Sequence, residues 1–251
     1  MQTFTNEGFD IAFIDEGKGD PILLIHGFAS NHLVNWITPG WVKTLTDAGY
    51  RVIALDNRGH GQSSKSHEPD DYTPSRMAGD AAALLAHLKI ERAHVMGYSM
   101  GARITAFLAL EYPGNVATAI FGGLGAGMVE GVGAWDTIAD ALLAEDPETI
   151  PDERGRMFRD FADQTKSDRR ALAACISTSR ELLTPEQMGR ITQPALVAVG
   201  TKDDIAGAPE TLAELLPHGE AFAIERRDHM LSVGDKSFKK RALQFLEENP
   251  L

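Results

Sequence analysis

The 251-residue chain is expected to fold as an α/β protein, a mostly parallel, doubly wound sheet with a helical lid inserted. Three observations predict this. Short, continuous apolar runs recur along the sequence, as strands buried on both faces require. Segments with helical spacing separate them, and strands alternating with helices imply a parallel sheet covered on both sides. The alternation lapses once, between about Gly122 and Gln193, where only helical spacing continues.

Taken in order, Phe9 to Asp15 roughly alternates apolar and polar before the break at Glu16 to Asp20, the pattern of one arm of an edge hairpin. Apolar runs follow at Pro21–Ile25, Tyr50–Leu55, Ala93–Met96, Val116–Phe121, Ala195–Val199 and Ala221–Ile224. Between them, Trp41, Val42, Leu45 and Ala48 share one helix face before Gly49, and Met77, Ala81, Leu84, Leu85 and Leu88 share another before Ile90. A third helix is expected from about Met100 to Tyr112, stopped by Pro113-Gly114. Phe238, Ala242, Phe245 and Leu246 mark the last.

In the stretch without strands the periodic groups are Trp135, Ile138, Ala139, Leu142 and Leu143; Met157, Phe158 and Phe161; and Leu172 with Ile176. Thr184-Pro185-Glu186-Gln187 has the form of a capping box with proline at the first helical position. One crossover helix suffices between successive parallel strands, so the surplus reads as an insertion. The expected division is a core of residues 1–122 and 193–251 and a helical lid of residues 123–192.

Composition narrows the function classes. With 24 Lys plus Arg against 36 Asp plus Glu, the net charge of −12 disfavours a nucleic-acid partner, since phosphate backbones are bound by an excess of cations. At 43% hydrophobic and 24% charged the chain is globular. Its single cysteine, Cys175, excludes an internal disulfide and suits a reducing compartment. Met1 to Asp10 resembles no secretory leader, and the longest charge-free run, Tyr112 to Val129, is too rich in glycine for a membrane helix. A cytoplasmic protein with no membrane association is expected. No metal-ligand spacing and no dinucleotide or phosphate fingerprint occurs, so neither a metal nor a cofactor is expected.

The chemistry is carried by Gly97-Tyr98-Ser99-Met100-Gly101, a G-x-S-x-G directly after an apolar strand and directly before a helix. A serine on so sharp a turn is presented at a helix N-terminus, where the dipole and free N–H groups favour a developing anion. A neutral serine is a poor nucleophile and needs a base, which in turn needs an orienting acid. His229 lies in a polar loop before the last helix, and Asp203 and Asp204 follow the strand Ala195–Val199, which brings them to the rim of the sheet that carries Ser99. The chain order serine, acid, histidine fits such a site, and spacing alone does not separate the two aspartates.

With these residues the chain is similar to α/β-hydrolase-fold proteins of the small, lid-bearing serine esterase and lactonase type. The resemblance rests on His26-Gly27-Phe28, on Asp56-Asn57-Arg58-Gly59-His60-Gly61-Gln62-Ser63, on the Ser99 turn, and on Gly200 and Asp203 with His229. It implies that Asp203, three residues past Gly200, is the acid, that the backbone N–H groups of Phe28 and Met100 form the oxyanion hole, and that His26 is structural. Ala102 stands where the family often has a second glycine, and the proline that often follows the acid closely comes only at Pro209.

Other polar residues take structural readings. Arg58 and His60 are expected to bond neighbouring backbone, His94 to be a core histidine and Cys175 to pack in a lid helix. Trp36, Trp135 and Phe158 are expected to line the substrate pocket.

The expected activity is hydrolysis of a small-molecule carboxylic ester, thioester or lactone through an acyl-enzyme on Ser99. Two other readings use the same fold. Arg103 after the serine turn resembles a menaquinone-pathway lyase, and a lyase or C–C bond hydrolase would use the same triad; its multiply anionic substrates sit poorly with 8 basic against 13 acidic residues between Gly123 and Thr192. A non-enzymatic ligand receptor is the third, disfavoured by an apparently complete triad.

Overall fold

The computed structural model describes residues 1–131 and 135–251, so positions 132–134 of the expected insertion lie outside the described residues. Eight strands form one sheet: β1 (Gln2–Asn6), β2 (Phe9–Gly17), β3 (Pro21–Ile25), β4 (Arg51–Leu55), β5 (Ala93–Tyr98), β6 (Val116–Gly122), β7 (Ala195–Gly200) and β8 (Gly219–Ile224). Their spatial order is β1-β2-β4-β3-β5-β6-β7-β8. β1 pairs antiparallel with β2, and β2 antiparallel with β4; every other pairing is parallel.

Side chains of the central strands alternate between two cores, as the two-residue period of a strand demands. Leu23, Ile25, Ile53, Leu55, Val95, Phe121 and Val197 face a core shared with helices α2 (Pro74–His87) and α3 (Met100–Glu111). Ile22, Leu24, Val52, Ala54, Met96, Ile120 and Leu196 face the opposite core, filled by Trp36, Trp41, Phe238 and Phe245. Trp41 belongs to α1 (Trp41–Asp47), and the two phenylalanines to the last helix, Lys236–Glu248. Full burial on both faces explains why these strands read as unbroken apolar runs.

Between β6 and β7 come α4 (Asp136–Leu143), α5 (Glu153–Gln164), α6 (Arg169–Thr178) and the short α7 (Pro185–Met188). Asp152 and Asp168 cap α5 and α6, and α7 opens with the complete capping box formed by Thr184 and Gln187. Leu142, Phe158 and Leu172 of these helices join the same core as α2 and α3. The chain closes with α8 (Pro209–Ala213), α9 (His229–Ser232) and α10 (Lys236–Glu248). Among the described residues no helix is long and apolar enough to cross a membrane.

Candidate active site

The turn from β5 to α3 forces Ser99 to φ 55° and ψ −113°, a strained conformation for a residue with a Cβ. Its flanks must be glycine. A Cβ on Gly97 would lie 2.0 Å from the Gly101 carbonyl oxygen, and one on Gly101 would lie 2.0 Å from the Ile25 carbonyl oxygen of β3. The serine N–H is held by Gly122 O at 2.8 Å, and its carbonyl accepts the N–H groups of Ala102 and Arg103. Met100 N–H, at the first position of α3, is by geometry one of the helix's donors without an intrahelical acceptor.

Ser99 Oγ lies 3.1 Å from His229 Nε2, and His229 Nδ1 lies 2.8 Å from Asp203 Oδ2. A carboxylate only accepts, so Nδ1 carries the proton and Nε2 is left to accept from the serine hydroxyl. The other oxygen of Asp203, Oδ1, accepts the N–H groups of Ile205 and Ala206 at 2.9 and 3.0 Å, which fixes the carboxylate plane. His229 opens α9 behind its cap Asp228, and the buried Tyr98 hydroxyl donates to the His229 carbonyl at 2.5 Å.

The opposite wall is the turn after β3. Gly27 N–H donates to Asn35 Oδ1 at 2.8 Å, and Asn35 sits in a single π-helical turn, Leu33–Ile37. Such turns often occur at functional sites. This bond sets the path of the backbone into Phe28, whose ring stands 5.5 Å from Phe158 of α5; Trp135 stacks next, 5.5 Å from Phe158. Arg180 lies over the Trp135 ring, its guanidinium carbon 4.0 Å from the ring centre.

A cavity of about 850 Å³ opens beside Ser99 and His229. Phe28, Trp135 and Phe158 line it, together with Val34, Met157, Phe161, Met230 and Leu231. Trp36 does not: it is fully buried in the core behind the sheet, edge-on to Trp41 at 6.3 Å, so its expected place in the substrate pocket is corrected to core packing. The apolar character that suggested a pocket residue serves the core instead. The roles of Asn35 and of the Tyr98 hydroxyl are not readable from sequence, because neither a one-turn π-helix nor a bond to a distant carbonyl leaves a periodic signal.

The remaining polar residues are occupied elsewhere. His26 Nδ1–H donates to Gly27 O and its Nε2 accepts Asn57 N–H, so it is neutral, and burial lowers its pKa. Burial drives His60 down to about 3 and His94 to about 4. Arg58 makes a buried, two-bond pair with Asp80, and Asp56 anchors the loop by accepting the N–H groups of His32 and Gln62. Arg103 donates to the carbonyls of Gly127, Met128 and Glu181, tying α3 to the segment after β6. Burial pushes the Cys175 thiol up to about 12, which leaves it inert at neutral pH. Among the described residues no grouping of three or more His, Cys, Asp or Glu side chains could hold a metal ion.

Residues 20–150 match the model of the alpha/beta hydrolase fold, and the chain belongs to that family. Its relatives over nearly the full length are named for enzymes, and it is an enzyme of this fold. It is 29% identical over 245 residues to BpoC of Mycobacterium tuberculosis (strain H37Rv), whose name places it among non-heme bromoperoxidases; the match covers 88% of this chain and 91% of that one. It is 25% identical over 290 residues to non-heme chloroperoxidase CPO-A1 of Kitasatospora aureofaciens, covering 97% and 98%. A solved hydrolase from Pseudomonas aeruginosa superposes with a TM-score of 0.79 at 24% identity, over 98% of this chain and 97% of that one, a likeness of fold.

Proposed function

We propose that the protein is a serine hydrolase of small-molecule carboxylic esters, thioesters or lactones, acting through an acyl-enzyme on Ser99. The observation that carries this reading is the line of contacts from Ser99 Oγ to His229 Nε2 at 3.1 Å and from His229 Nδ1 to Asp203 at 2.8 Å, on a strained strand-to-helix turn. His229 takes the serine proton as Oγ attacks the carbonyl, and Asp203 holds the tautomer and stabilises the imidazolium. The N–H groups of Phe28 and Met100 receive the oxyanion, a contribution of roughly 3 kcal/mol for each donor. The imidazolium protonates the leaving oxygen, or the sulfur of a thioester, and the neutral ring then activates water for deacylation.

Residues 123–192 act in this reading as a lid, because Met157, Phe158 and Phe161 of α5 line the cavity that Ser99 borders. The lyase reading draws less support, since three carbonyls occupy the guanidinium of Arg103. Hydrolysis of 4-nitrophenyl acetate by the wild type and by Ser99→Ala tests the proposal. The variant is expected to lose at least about 10³-fold in kcat while keeping its fold by circular dichroism. A Ser99→Ala protein that retains wild-type turnover contradicts it.

A further inference from the structure

Ser99 stands between two cavities of very different size. On one side is the 850 Å³ cavity, which His229 lines; on the other is a pocket of about 40 Å³, which His229 does not line. The small pocket is lined by Met100, Leu124, Ile176 and Ile205 together with the polar Arg103, Ser179 and Arg180. Leu124, Ile176 and Ile205 are at most 6% exposed. Ser99, Phe28 and Trp135 line both spaces, and the Trp135 ring meets Phe158 of the wide cavity and Arg180 of the small pocket.

Resting on the hydrolase reading above, we infer that the enzyme is selective for short acyl groups, of two to four carbons, carried on a large, apolar alcohol or phenol. The tetrahedral carbon bonded to Ser99 Oγ has three other substituents, and the site assigns each a direction. The oxyanion points to the N–H groups of Phe28 and Met100. The leaving oxygen must reach His229 Nε2 to take its proton, so the group it carries extends into the cavity that His229 lines. The acyl chain is left with the remaining direction, into the small pocket.

Size then decides specificity. A water-sized atom needs about 10–15 Å³ of such space, so 40 Å³ admits about three non-hydrogen atoms beyond the carbonyl carbon. Acetyl places one there, butyryl three and hexanoyl five. A longer chain must displace the buried Leu124, Ile176 and Ile205 or push aside Trp135 and Arg180, which line the same pocket. The wide cavity falls in the range that encloses a drug-sized ligand, and Val34, Met157, Phe161 and Leu231 give it an apolar lining.

The test holds one half of the ester fixed while the other varies. Wild-type kcat/KM is measured on 4-nitrophenyl acetate, butyrate, hexanoate and octanoate, and on 4-methylumbelliferyl acetate, a bulkier ester with a comparably activated leaving group. Hexanoate and octanoate are expected at least tenfold below acetate and butyrate, with the bulky acetate within threefold of 4-nitrophenyl acetate. Ile176→Ala, which removes three carbons from the pocket wall, should raise the hexanoate-to-acetate ratio at least tenfold; Leu124→Ala serves the same purpose if the first variant does not fold. Octanoate cleaved as fast as acetate by the wild type, with Ser99→Ala inactive on both, overturns the pocket assignment and leaves the hydrolase reading standing. No turnover of any of these esters by the wild type overturns both.

Discussion

Asp203 and Asp204 are adjacent in the chain, yet their carboxylates meet different surroundings. Both oxygens of Asp203 are engaged, one by His229 and the other by two backbone N–H groups, and its side chain is fully buried. The Asp204 side chain is 80% exposed and lies 3.5 Å from Arg154. Spacing alone does not choose between them, because the choice depends on which way the loop turns after Gly200. Asp203→Asn should therefore lower kcat/KM by a factor on the order of 10⁴, since an amide cannot stabilise the imidazolium and favours the wrong tautomer. Asp204→Asn should stay within about twofold of the wild type. Ester kinetics on the two purified variants decides it, and a crippled Asp204→Asn beside an active Asp203→Asn would reverse the assignment.

At the scale of elements, legibility followed burial. Strands β3 to β7 were readable because both faces are covered, and their apolar runs end within one or two residues of the observed limits. β1 has no such signature: Gln2–Asn6 buries only Phe4, so an edge strand paired on one side leaves almost no hydrophobic pattern. The one-turn π-helix at Leu33–Ile37 and the short helices α8 and α9 were equally invisible, being too brief for a 3.6-residue period to show. The helices between β6 and β7 were legible as helices, but how they are fastened was not. Asp168 meets His67 at 3.0 Å, and Thr178 Oγ1 donates to Pro69 O, so α6 is tied at both ends to the loop before α2. Such contacts join residues about a hundred positions apart, beyond the reach of any local pattern.

For the whole molecule, the buried histidines set a sensitivity to acid. Unfolded, each titrates near 6.5; folded, His60 stays neutral to about 3 and His94 to about 4. Between these limits the unfolded chain binds more protons, so stability is full above about pH 6.5 and falls as the pH drops. By pH 5 each histidine has removed about 2 kcal/mol. The melting temperature should therefore fall from pH 7 to pH 5, and His94→Gln should fall by several degrees less over the same interval, read by scanning calorimetry. An equal fall in both proteins would mean that His94 does not make this contribution. In the proposed mechanism Ser99 is the nucleophile, because among the described residues it has both an imidazole nitrogen at 3.1 Å and helix N-terminal donors beside it. The most direct measurement is reaction with a fluorophosphonate followed by proteolysis and mass mapping of every serine-containing peptide. A single adduct on Ser99, abolished in His229→Ala, is the result expected; an adduct on a different serine, or an unmodified Ser99 after prolonged reaction, would contradict the account.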